Sequence, residues 1–174
     1  MQLARKLLLV ATVFVPTIGS PAVSHPSISQ ANKENRIVLS PSEREHVFDG
    51  EYKTALKIGQ LPQQVKIVFA AIAKQAKFEM ANPEDDFQLT DVITQKGLPR
   101  RRLIFAEISP HKCIVHYENG GYAHTYYVVV FSIDAAQAAR FVWGGAMWTP
   151  AKNLNQLRSA IKNGIIKDDL AYDW

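Results

Sequence analysis

The chain has 174 residues, of which 47% are hydrophobic, 10% aromatic and 21% charged. This composition is typical of a globular protein with a hydrophobic core, and it excludes a disordered or collagen-like chain. Cys113 is the only cysteine, so an intramolecular disulfide framework is excluded as well. Without the first 24 residues, which are interpreted below as a signal peptide, 18 Lys and Arg stand against 16 Asp and Glu, and this net charge of +2 is too small to indicate a nucleic-acid-binding protein.

The first two dozen residues have the pattern of a secretory signal peptide. Arg5 and Lys6 precede an apolar run, and small residues follow that run. The run is shorter than the roughly 20 apolar residues that cross a bilayer, so we expect a cleaved signal over 1–24 and no membrane span after cleavage. Cleavage is expected after Ala22 or Ser24, which places the mature protein in the periplasm or outside the cell.

A polar stretch separates this signal from the domain. Residues 25–41 are predicted to form a flexible N-terminal segment, and residues 42–174 are predicted to form a single domain. Ser42 followed by Glu45 has the form of a capping box, which predicts a short helix over 43–48.

Three further elements are predicted before or after the four strands that are described next. Residues 52–58 alternate between apolar and polar side chains, which predicts a short strand. From Pro62 onward, apolar residues recur every three or four positions, which predicts one long helix over 62–80. The same spacing predicts a second helix over 153–163, which ends near Gly164.

After Pro99 the apolar residues change to a period of two, which predicts strands. Four successive runs alternate in this way, and connections of about three residues, rich in turn-forming types, separate them. Such short links join antiparallel neighbours. The predicted fold class is therefore α+β: a single domain with one long helix packed on a four-stranded antiparallel β-meander, and a second helix near the C-terminus. The predicted strands are 102–108, 112–118, 122–133 and 137–143.

Three-residue turns throughout would determine which side chains share a face of this meander. One face then forms the core on which the long helix packs, and Cys113 is a small buried hydrophobic residue on that face. The opposite, outer face carries Arg102 directly across from Glu118, and His116 directly across from His124. The predicted core face consists of Leu103, Phe105, Cys113, Val115, Tyr117, Tyr127, Val129, Phe131, Ile133, Phe141 and Trp143.

The outer face holds the strongest candidate site. Two imidazoles and a carboxylate are ligands that zinc accepts, and they can also act as a general acid and base, so His116, Glu118 and His124 are the candidate metal-ligating residues. A polar, solvated sheet face that carries an ion pair is another interpretation of the same residues. No Gly-rich phosphate loop, HExxH motif or serine-nucleophile elbow accompanies them. The candidate binding residues, which converge near the turn at 119–121, are Arg102, His116, Glu118, Tyr122, His124 and Tyr126.

These features favour an exported, non-catalytic binding module over an enzyme. A helix followed by a curved antiparallel sheet is similar in plan to cystatin-like and β-lactamase-inhibitor-like modules, and this fold analogy suggests an inhibitor or accessory protein acting on a secreted or periplasmic partner. The expected partner is a protein or a glycan of the cell envelope, bound through the outer sheet face, and the sequence identifies no cofactor. The alternative is a small metal-dependent or acid–base hydrolase-like enzyme that uses His116, Glu118 and His124.

Overall fold

The computed structural model of the protein describes residues 37–93 and 95–169. The predicted signal peptide over 1–24 and the predicted flexible segment as far as residue 36 lie outside the described residues. No helix in the described part of the chain is long and apolar enough to cross a membrane. The elements are, in chain order, α1 (Pro41–His46), β1 (Lys53–Ala55), a 3₁₀ turn (Ile58–Gln60), α2 (Gln63–Ile72), β2 (Arg101–Ile108), β3 (Lys112–Asn119), β4 (Thr125–Ile133), β5 (Ala139–Met147), α3 (Leu154–Lys162) and β6 (Lys167–Asp168).

Helix α1 begins earlier than the sequence spacing predicts. The Ser40 hydroxyl accepts a hydrogen bond from the backbone N–H of Glu43 at 3.3 Å, and the Glu43 carboxylate accepts the backbone N–H of Ser40 at 2.8 Å. This capping box stands in place of the predicted one at Ser42 and Glu45. Pro41 favours the earlier start, because proline at the first helical position has no N–H that needs a partner.

The fold is α+β, as predicted, and its sheet is antiparallel with each strand paired to its neighbours in the sequence. The sheet has six strands rather than the predicted four, because β1 adds to one edge beside β2 and β6 adds to the other edge beside β5. The four predicted strands correspond to β2, β3, β4 and β5, which form the centre of the sheet.

The predicted long helix is shorter than its periodicity indicates. Helix α2 ends at Ile72, and Lys74 has a positive φ of 51°, a left-handed conformation that is common where helices end. The backbone N–H of Gln75 then bonds to the carbonyl of Ala70 at 2.8 Å. Met80, which the spacing assigns to the helix, packs on the same core from an irregular segment instead.

Both faces of the sheet are covered, which is the main departure from the prediction. One face packs on α2, in a core where the rings of Phe69 and Tyr117 meet edge to face at 5.3 Å. The other face packs on α3 and on the chain around α1, in a core that includes Phe48, Trp143 and Leu157. The predicted outer face is therefore largely an interior surface, and only one end of it reaches solvent.

Two β-bulges explain where the predicted core face is wrong. The register shifts between Leu103 and Phe105 in the β2–β3 pair, and between Val130 and Phe131 in the β4–β5 pair. An extra residue in one strand moves the later side chains of that strand to the opposite face. Phe105 and Trp143 consequently lie in the core beneath α3, whereas the remaining residues of the predicted face pack on the α2 side as expected.

The connection between β3 and β4 is also longer than predicted. Asn119 pairs directly with Thr125, so five residues rather than three connect the strands. Gly120 begins this hairpin loop, and a Cβ at its position would lie 1.9 Å from the carbonyl oxygen of Gln88. Its backbone N–H also bonds to the carbonyl of Arg100 at 2.9 Å. The close approach requires glycine, and it holds the hairpin loop against the segment that precedes β2.

Candidate functional site

His116 lies in the interior, between β3 and the chain that leads into α3. Its Nε2 accepts the backbone N–H of Ala151 at 3.0 Å, so the proton is on Nδ1, which donates to the carbonyl of Tyr127 at 2.8 Å. Burial lowers the pKa of His116 to about 4, because the charged imidazolium would lose its solvation. Both ring nitrogens of a neutral imidazole are therefore occupied by the fold itself.

The predicted pairing of His116 with His124 is wrong, because it assumed a three-residue turn. His116 lies across from Val128, and His124 is the last residue of the hairpin loop. The longer loop carries His124 back toward Glu118 instead.

A charged trio lies at the solvent-exposed end of the sheet face that packs on α3. It consists of Arg102, Glu118 and His124. The Arg102 Nε donates to Oε1 of Glu118 at 2.7 Å, and the His124 Nε2 lies 2.8 Å from Oε2 of the same carboxylate. The register confirms the predicted cross-strand position of Arg102 opposite Glu118. The Glu118 side chain is only 10% exposed, whereas its partners are 32% and 34% exposed, so a nearly buried carboxylate holds two accessible groups in place.

Two aromatic rings frame the charged trio. The Arg102 guanidinium lies over the ring of Phe87, 4.3 Å from its centroid, in a cation–π contact. The His124 ring lies 4.9 Å from that of Tyr126 and 6.3 Å from that of Phe87. Tyr126 is one of the predicted binding residues, whereas Phe87 is not among them. Phe87 belongs to an irregular segment, where no periodicity indicates a neighbour.

Exposed apolar side chains occur on the hairpin loop that carries His124 and on the segment that precedes β2. The backbone N–H of Gly121 bonds to the carbonyl of Leu89 at 2.9 Å and so joins these two segments. Tyr122 is 99% exposed, and Val92 and Ile93 are each 72% exposed. We call this group, which consists of Leu89, Val92, Ile93 and Tyr122, the loop patch.

The predicted metal set gains no support from this geometry. His116 would have to give up a hydrogen bond within the fold before it could join Glu118 and His124 around an ion. Within residues 37–93 and 95–169, no three His, Cys, Asp or Glu side chains lie close enough together to hold a metal. Of the six predicted binding residues, the structure brings together Arg102, Glu118, His124 and Tyr126, leaves Tyr122 exposed on the adjoining loop, and turns His116 to the interior.

The charged trio can exchange hydrogen bonds with a partner without rearranging. Glu118 engages Nε2 of His124, and no group in the described chain bonds to the other ring nitrogen, which can accept from or donate to a ligand. The Arg102 guanidinium keeps further N–H donors beyond the one that Glu118 takes. No protein-family model, curated protein or solved structure matches this chain.

Proposed function

We propose that the protein is an exported binding module that recognises a secreted or periplasmic protein through the loop patch and the charged trio. The observation that carries this proposal is the exposure of the loop patch at one end of a sheet whose two faces are covered by helices. Large apolar side chains that are grouped on a surface and bordered by polar residues mark interaction sites. This surface is smaller than the outer sheet face that the sequence indicates.

The residue types in and around the loop patch are those that dominate protein interfaces. Tyrosine and arginine are enriched at the centres of such interfaces, where they contribute most of the binding energy. Tyr122 offers a large ring with few rotatable bonds, so little side-chain entropy is lost when a partner covers it. Arg102 and His124 are already held by Glu118, which lowers the entropy cost of binding further.

The loops that carry the patch are braced from within. The Arg100 guanidinium and the Asp91 carboxylate form a salt bridge at 2.6 Å across the base of the segment that precedes β2. The side-chain amide of Gln88 donates to the carbonyl of Thr90 at 2.6 Å. Together with the close contact between Gly120 and the Gln88 backbone, these bonds support a surface that is formed before a partner arrives.

The signal pattern over 1–24 supports an extracytoplasmic location of the protein and of its partner. Intact-mass measurement of the protein recovered from its native host tests it. We expect a chain that begins at Val23 or His25, found in the periplasm or the medium. A chain that still begins at Met1 and stays in the cytoplasm would contradict export.

A surface variant with a matched control tests the binding site. The variant combines Val92→Ser, Ile93→Ser and Tyr122→Ser, and the control is Ile67→Ser, which replaces a side chain that is 61% exposed on α2. Each protein is used to capture partners from an envelope extract by cross-linking, and the captured protein is then purified and titrated calorimetrically.

We expect the wild-type protein and the Ile67→Ser control to bind the same partner with equal affinity. The combined variant should bind it at least about tenfold more weakly, because the apolar contact area is lost while the fold is unchanged. Equal affinity of the combined variant and the control would overturn the proposed surface.

A further inference from the structure

A second surface feature lies on the α2 side of the sheet, at a corner that no α2 residue lines. Strands β4, β5 and β6 run side by side there and present alternate side chains to the same face. Together with the residues that follow β5 and flank β6, these strands line a groove of about 280 Å³. The groove is lined chiefly by Thr125, Tyr127, Ala146, Trp148, Lys167 and Asp169.

Trp148 is held beside this groove with most of its ring in water. The residue is 78% exposed. Its backbone is anchored on both sides, because Met147 pairs with Tyr126 at the end of β5 and the N–H of Ala151 bonds to His116. An exposed indole on an anchored stretch of backbone offers a stacking surface, and covering it with a ligand would remove a large apolar area from water.

The polar groups of the groove are balanced in charge. Lys167 and Asp169 lie two residues apart and line the groove together. Burial and, after it, the nearby Asp169 carboxylate raise the pKa of Tyr127, and the Thr125 hydroxyl donates to the carbonyl of Ala123 at 2.9 Å. One positive and one negative group side by side give no net attraction for an anion or for a cation. They favour a neutral ligand that both donates and accepts hydrogen bonds.

We propose that this groove binds a neutral saccharide, with one sugar ring stacked on Trp148 and its hydroxyls bonded to Lys167 and Asp169. A pyranose ring carries C–H groups on its faces and hydroxyls around its edge, which are the two kinds of group that the groove accommodates. The volume of about 280 Å³ is just below the range of about 300 to 1,000 Å³ that is typical of small-molecule sites, and it suits a single ring of a glycan chain. The small side chain of Ala146 leaves the floor of the groove open to that ring.

Saccharide titrations of the purified protein test this site. The probes are tri-N-acetylchitotriose, cellotriose and maltotriose, followed by tryptophan fluorescence and by calorimetry. Stacking should change the emission of Trp148 in a saturable way, whereas Trp143, which is buried against Phe48, should report no direct contact. We expect at least one of the three probes to bind.

Two variants remove the site in different ways. Trp148→Ala deletes the stacking surface, and Ala146→Leu keeps the indole but fills the floor of the groove. Each should weaken binding by at least about tenfold in calorimetry, whereas Trp148→Phe, which keeps a ring, should weaken it less. The matched control is Ile67→Ser, which removes an exposed apolar side chain of α2 outside the groove and should leave saccharide binding unchanged.

The proposal is overturned if none of the probes binds at tens of millimolar, or if Trp148→Ala and Ala146→Leu bind as the wild-type protein does. This site goes beyond the protein partner proposed above and does not depend on it. Loss of protein capture in the combined loop-patch variant with intact saccharide binding would identify two separate surfaces. Loss of saccharide binding in Trp148→Ala with intact capture would do so as well.

Discussion

The imidazole of His116 accepts a hydrogen bond from the backbone of Ala151, a residue 35 positions away in the sequence, at 3.0 Å. The same ring donates to the carbonyl of Tyr127 on the neighbouring strand. One buried side chain therefore ties the middle of the sheet to the chain that enters α3 and presents Trp148. Protonation of this ring would convert Nε2 from an acceptor into a donor, so the hydrogen bond from the backbone N–H of Ala151 would be lost.

Stability should depend on pH through His116. Burial lowers the pKa of this imidazole from 6.5 to about 4, so between these values the unfolded chain binds a proton that the folded protein excludes. The free energy of unfolding contributed by His116 is fully present above pH 6.5 and is lost as the pH falls toward 4. At 1.36 kcal/mol per pKa unit, the loss amounts to about 3 kcal/mol, which urea denaturation at a series of pH values measures.

A His116→Gln variant is the control for this dependence. Glutamine keeps one donor and one acceptor but does not titrate, so the variant should lose less stability than the wild-type protein between pH 6.5 and 4.5. Parallel stability curves for the two proteins in that range would show that other groups cause the dependence.

Removal of the Glu118 charge should destabilise the open end of the sheet. Glu118→Gln keeps the shape of the side chain but weakens its bonds to Arg102 and His124, and hydrogen bonds to charged groups contribute about 1.5 to 3 kcal/mol each. We expect a loss of about 1 to 3 kcal/mol in urea denaturation at pH 7. The matched control is Glu79→Gln, whose pair with Lys77 is long, at 3.8 Å, and exposed, so its loss should be under about 0.5 kcal/mol. Equal losses in the two variants would mean that the charged trio contributes no more than a surface pair does.

Gly145 should not tolerate a side chain, because β6 and the core close over it. A Cβ at this position would lie 2.6 Å from Cγ2 of Ile166 and 2.8 Å from the carbonyl oxygen of Lys167. We expect Gly145→Ala to destabilise the protein by about 1 to 3 kcal/mol in thermal or urea unfolding, since packed residues would have to move apart. Gly59→Ala is the control, because nothing lies within 4 Å of its added Cβ. A Gly145→Ala protein as stable as this control would mean that β6 can shift away without cost.

The central strands and α3 could be predicted because their signals are local. Alternation of apolar side chains and short polar links determine β2, β3, β4 and β5, and the helical spacing of Leu157, Ala160 and Ile161 determines α3. The position of Arg102 opposite Glu118 follows from the same local register. These features depend on residues that are close in the sequence.

The errors have non-local causes. Each bulge adds one residue to a strand, and nothing in the alternation of β2 or β5 reveals it, so Phe105 and Trp143 were assigned to the wrong face. The strand pattern places His116 on a polar outer face. The pattern does not reveal that the imidazole accepts a hydrogen bond from the backbone N–H of Ala151, which is distant in the sequence. The cross-strand placement of Arg102 and Glu118, which is local, is therefore predicted correctly, whereas the environment of His116, which long-range packing decides, is not.

The thiol of Cys113 should be unreactive in the folded protein. The side chain is fully buried on the α2 side of the sheet, and burial raises the pKa of its thiol to about 12, so both access and thiolate formation are suppressed at neutral pH. We expect no reaction with 5,5′-dithiobis(2-nitrobenzoate) under native conditions and one thiol per chain after unfolding in guanidinium. A Tyr122→Cys variant supplies the accessible comparison, because its new thiol on the fully exposed loop position should react at once. Rapid labelling of the wild-type protein would mean that the core beneath α2 opens far more readily than its packing indicates.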